Sequence, residues 1–72
     1  MYRDGRTEEA IETLKTALAE TPPEEKYLLG ETHYHLGMIY HGEGKSNLAE
    51  EHFRKSLDIY PSPEREKEIE NL

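Results

Sequence analysis

The stretch HYHLGMIYHGEGKSNLAEEHFRKSLDIYP, residues 33–61, admits two readings. Its first twelve positions hold three histidines, two tyrosines and three glycines, a mixture that raises metal binding or catalysis. Its apolar spacing instead describes two packed helices. Leu29, His33, Leu36, Gly37 and Tyr40 recur at intervals of three and four, as one helical stripe does. Tyr27, Tyr34, Met38 and His41 form a second stripe, turned by roughly a quarter to a third of a revolution at ~100° per residue. Gly42 and Gly44 are expected to end this helix, since glycine accepts the left-handed conformation found there. Ala49, Phe53, Ser56, Leu57 and Tyr60 then share a face of a second helix, capped by Ser46 or by Asn47 with Glu50, and ended by Pro61 and Pro63.

Working outward, residues 7–21 repeat the pattern. Thr7 is a good N-cap, Glu8 and Glu9 suit the positive end of the helix dipole, and Pro22 and Pro23 stop the helix. Ala10, Leu14, Ala17, Leu18 and Thr21 lie on its stripe, with Ile11 at the edge. The helix of the opening stretch should then begin at Pro22 or Pro23 and run to His41, with Thr21 and Glu24 as a capping box. Beyond Pro63, only Ile69 and Leu72 are apolar. With Ser62 and Pro63 as start signals, that segment reads as the first turns of a further helix, frayed at its end.

The first and third helices are copies of one pattern. With Ala10 set on Ala49, Gly5 meets Gly44, Thr7 meets Ser46, Leu14 meets Phe53, Ala17 meets Ser56, Leu18 meets Leu57 and Pro22 meets Pro61. Such an internal repeat governs the fold reading. The signature His33-x2-Leu36-Gly37-x2-Tyr40…Ala49-x3-Phe53…Pro61 resembles that of the tetratricopeptide repeat (TPR) family, with His33 where the family places an aromatic residue. The resemblance implies an all-α, antiparallel helix-turn-helix repeat, a fragment of an α-solenoid. Residues 1–22 would be the second helix of a preceding unit, 23–63 one extended repeat, and 64–72 the start of a further or capping helix. Ala10 and Ala49 lie 39 positions apart, which exceeds the ~34-residue standard unit. The excess falls between Pro22 and Gly30, and is accommodated either by a longer middle helix or by a break at Gly30.

Packing explains the motif. Gly37 lets Ala49 approach, Leu36 and Tyr40 fill against Phe53 and Leu57, and Ala10, Leu14 and Ala17 should press on the middle helix from the other side. Neighbouring units must stack to cover what remains apolar, and about three repeats are normally needed where this chain carries roughly one and a half. A 72-residue chain with 35% charged and 33% apolar residues is lean in core. Completion by flanking repeats, or by copies that stack or exchange helices, is therefore expected.

Composition narrows the function. Net charge is −7, with Lys and Arg scattered among acids, so neither nucleic acid nor an anionic membrane is an expected partner. No apolar run reaches the ~18 residues of a membrane span, and residues 2–9 are too polar for a signal peptide. A soluble cytoplasmic protein is the expectation. The absence of cysteine removes disulfides and thiolate ligands. Histidines 33, 35, 41 and 52 include no pair three or four apart, the spacing a helix needs for two metal ligands. His33 and His41 are about 12 Å apart at ~1.5 Å per residue, so a metal would also need His52 and glutamates. The expectation is no metal, no cofactor and no catalysis, with a histidine metal site as a minor alternative. GEGK, residues 42–45, lacks the strand and spacing of a phosphate loop. Glu8/Glu9, Glu24/Glu25 and Glu50/Glu51 lie in first helical turns, where the dipole accounts for them.

The second stripe is the remaining candidate. In the family that this chain resembles, the first helix of each unit lines a concave groove for a peptide or helix. The resemblance maps Tyr27, Glu31, Tyr34, His35, Met38 and His41 to that face. It carries no Lys, Arg or Asn, so a clamp for a C-terminal carboxylate is not implied. An aromatic and methionine surface suits an apolar segment. The alternative is that Tyr27, Tyr34 and Met38 pack on a neighbouring helix or subunit. The sequence thus predicts a protein–protein interaction scaffold, with self-association as the alternative.

Overall fold

A computed structural model describes residues 5–72. Residues 1–4, the beginning of the expected segment 1–22 and of the polar stretch 2–9, lie outside the described residues. Four helices follow in order: α1 (Gly5–Glu20), α2 (Lys26–Gly42), α3 (Ser46–Ile59) and α4 (Pro63–Glu70). The fold is all-α, as the periodicity predicts, with no strand among the described residues.

The core is the α2–α3 hairpin. Leu36 and Tyr40 of α2 meet Ala49 and Phe53 of α3, and all four are buried. Each helix turns one apolar stripe inward, and burying these side chains removes that stripe from water. Gly37 makes the close approach possible: a Cβ there would stand 2.5 Å from Cε1 and 2.6 Å from Cδ1 of Phe53. A second tight point lies nearer the start of α2. Ser56 is fully buried, and its Oγ donates a 2.7 Å hydrogen bond to the carbonyl of Gly30. A Cβ on Gly30 would lie 3.0 Å from Cβ of Tyr60. Gly30 therefore sits inside a continuous α2 as a contact point and is no break.

The α2–α3 turn closes through backbone bonds. Gly44 has φ of 78°, its N–H donates to His41 O at 3.0 Å, and the Lys45 N–H donates to Tyr40 O at 2.9 Å. These two bonds occupy carbonyls that the helix end leaves open, an arrangement that needs one left-handed residue. Gly42 remains helical, so only Gly44 does what the sequence reading assigned to both.

Several expected boundaries are corrected. α2 begins at Lys26 rather than at the prolines, and residues 22–25 form a turn closed by Glu25 N–H to Pro22 O at 3.0 Å. Part of the extra repeat length is thus a turn, not helix. Thr21 forms no capping box with Glu24; its Oγ1 donates back to Ala17 O at 2.6 Å, ending α1 instead of starting α2. α3 begins at Ser46 with Lys45 at its cap and no side-chain cap bond, so neither Ser46 nor Asn47 serves there. α1 is already helical at Gly5, the first described residue, so Gly5 and Thr7 lie in the helix and not at a turn and an N-cap. The C-terminal segment forms the expected further helix, two turns long and not frayed. Ser62 caps it by accepting from the Arg65 N–H at 3.3 Å, with Pro63 at the first position.

The outer helices cover the hairpin incompletely. Ile11, Leu14 and Leu18 of α1 pack on the core, as does Ile69 of α4, yet neither α1 nor α4 buries a residue fully. The packed line of α1 is rotated from the expected one: Ile11 is in it, while Ala17 borders an open surface with Glu12, Thr16 and Glu20.

Candidate functional site

The second stripe of α2 lies between α1 and α4, and the two neighbours divide it. At its start, α4 has moved in. Tyr34 Oη donates to Glu68 Oε2 at 2.7 Å, and its ring lies 5.9 Å from that of Phe53. The Arg65 guanidinium stands over both Tyr34 (5.3 Å) and Tyr27 (5.8 Å), a cation on two aromatic faces. Tyr27 also meets Tyr60 edge-on at 5.2 Å, and its hydroxyl reaches Glu31 at 3.3 Å. The bond to Glu68 raises the Tyr34 pKa above the usual phenol value, with partial burial and the Glu68 charge adding to it and Arg65 opposing it. Tyr27, Glu31 and Tyr34 therefore lie in a cleft shared with α4, lined by Ser62, Glu64, Arg65 and Glu68.

Toward the middle, the stripe opens on α1. Met38 and His35, with Ile39, face Ala10, Thr13 and Leu14 across an open, largely apolar groove of about 570 Å³, bordered by Arg6 and Glu9. His35 is exposed and borders both clefts, with its ring 5.8 Å from that of Tyr34. His41 falls in neither cleft; it lies beside Ser46, Ala49, Phe53, Ile69 and Leu72 near the hairpin turn.

His33 takes the leading position of the motif, and its ring lies edge to edge with that of His52 of α3, ring centres 5.3 Å apart. The two Nδ1 atoms are 3.0 Å apart, within hydrogen-bond distance. His52 stacks on Tyr40 at 5.5 Å. Burial holds both imidazoles below their ordinary pKa. For His33 the His52 and Lys55 charges add to this, and for His52 the Lys55 and Lys15 charges do so against Glu51. Among the described residues, no three His, Cys, Asp or Glu side chains are grouped as metal ligands.

Three of these residues escaped the sequence reading. Arg65 and Glu68 come from a segment where Ser62 and Pro63 signal a helix start, but nothing in it says that the helix docks on α2. Ile39 belongs to neither stripe of α2 and gave no signal. Arg65 also places a guanidinium against a face that by itself carries no cation.

Helix pairs stacked side by side, with a glycine–aromatic contact inside the hairpin and an open groove along its first helix, define an α-helical repeat protein. A model of the tetratricopeptide repeat matches residues 1–62, and the chain belongs to that family. Searches of curated proteins and of solved structures returned no match. Members of this family generally mediate protein–protein interaction. No helix among the described residues is long and apolar enough to cross a membrane.

Proposed function

We propose that this chain is a binding module for a protein segment, seated on the α1–α2 groove. The observation that carries the reading is the groove itself: Ala10, Leu14, Met38 and Ile39 give an open groove between two helices a largely apolar lining, with Thr13, His35, Arg6 and Glu9 as its polar residues. Such a groove takes an amphipathic helix or an extended peptide, and a methionine adapts to differing side chains. The candidate face is narrower than the stripe implies, because Tyr27 and Tyr34 already meet α4. The module needs no catalytic group of its own. Peptide-library selection on the whole chain, followed by affinity measurements on wild type and Met38→Glu, tests this. A loss of tenfold or more with unchanged helicity is expected; equal affinity rejects the groove.

Self-association is the second reading, favoured by the exposure of Leu28, Leu48, Tyr60 and Leu72 on so small a chain. Light scattering after size exclusion separates the two. A folded monomer at all concentrations removes self-association, and a dimer that dissociates with Leu48→Lys supports it.

A further inference from the structure

We propose that the His33–His52 pair is an acid-operated latch on the α2–α3 hairpin, closed while the two rings share at most one extra proton and opened by a second. The geometry requires this dependence. With Nδ1 facing Nδ1 at 3.0 Å, one ring must donate and the other must accept. In the neutral pair, one imidazole carries its proton on Nδ1 and the other on Nε2. A first added proton settles on the free Nε2 of the donor ring and leaves the N–H···N bond intact and charge-assisted. A second has only the accepting Nδ1 left to occupy. Two N–H groups then oppose each other, and two cations lie edge to edge with ring centres 5.3 Å apart.

The surroundings do little to relieve that state. Lys15 of α1 and Lys55 of α3 are further cations beside the pair, Glu51 of α3 is a carboxylate acting on His52, and Tyr40 of α2 lies stacked on the His52 ring. The rings join α2 to α3 beside the buried Tyr40, so a doubly charged pair loosens the contact between the two helices.

The sign is definite. Both imidazoles titrate lower in the folded chain than their ordinary value of 6.5. The unfolded chain therefore binds more protons in that range, and stability falls as pH drops below 6.5. A chain of net charge −7 would otherwise gain from mild acid, as its self-repulsion is neutralised.

The test is thermal melting of the full chain between pH 7.5 and 5.5 in chelator, together with ring 15N NMR. Wild type should lose about 4–8 °C. His33→Phe with His52→Gln should abolish most of that loss, and His35→Gln with His41→Gln, outside the pair, should keep it. At pH 7.5 one ring of the pair should show the Nδ1–H tautomer and the other the Nε2–H tautomer, with protons added in two separated steps. An unchanged loss in the His33/His52 variant overturns the proposal, as does simultaneous titration of both rings alongside the exposed histidines. If the double variant does not fold, the wild-type NMR titration decides alone.

Discussion

Gly37 and Gly30 separate two costs that a single word such as packing conceals. At Gly37 a methyl group would enter the Phe53 ring, at 2.5 Å, in the middle of the core. Overpacking of that kind costs about 1–3 kcal/mol, more than the ~1 kcal/mol that alanine gains over glycine in a helix. Gly37→Ala should therefore lower the denaturation midpoint clearly. At Gly30 the closest atoms stand at 3.0 Å and beyond, so strain and helix propensity nearly offset each other. Gly30→Ala should stay within about 1 kcal/mol of wild type in the same urea titration. Ser56→Ala removes the 2.7 Å bond to Gly30 O but leaves that carbonyl inside a helix, and should cost about 1 kcal/mol. The core residues Leu36, Tyr40, Ala49 and Phe53 were legible because period and spacing fix which side of a helix each takes. The His33–His52 contact was not. It depends on the relative rotation of two helices, which no spacing within one helix encodes.

At the scale of elements, α4 shows what a cap adds to a short helix. Eight residues rarely hold a helix in water unaided, so the Ser62 bond and the docking of Ile69 both matter. Ser62→Ala should cost about 1 kcal/mol and reduce helical circular dichroism by a turn or two. The other tie is Tyr34 to Glu68. Its phenol titrates higher in the folded chain than the ordinary 10.0, so the bond's contribution is intact below that pH and is lost as pH rises through the folded value. Glu68 is exposed and Tyr34 only partly buried, which limits the effect to under about 1 kcal/mol. Tyr34→Phe should flatten this alkaline decline in melting temperature. The start of α2 was misread because Pro-Pro-Glu-Glu satisfies the rules for a first helical turn equally well as those for a turn between helices. Nothing within these four residues decides between them.

The whole molecule is a thin slab, 36 × 29 × 16 Å, with a radius of gyration of 12.1 Å against the ~11 Å of a compact chain of this length. It has one well-packed hairpin and two partly seated flanking helices. The exposed side of α3 is laced by Glu50–Arg54 at 3.1 Å and Glu51–Lys55 at 3.9 Å, pairs worth only a few tenths of a kcal/mol each. Stability is thus concentrated in α2 and α3. The family match spans more than this hairpin: it covers residues 1–62, α1 included, and ends before α4.

The shallow seating of α1 has a kinetic consequence. A helix that buries no residue fully, tethered by a short proline turn, opens to solvent well before the hairpin does. Deuterium should enter the amides of Leu14 and Leu18 orders of magnitude sooner than those of Tyr40 and Phe53. In those brief excursions Ile11, Leu14 and Leu18 become available to another surface, so the N-terminal arm is the region where an intruder would first gain a hold.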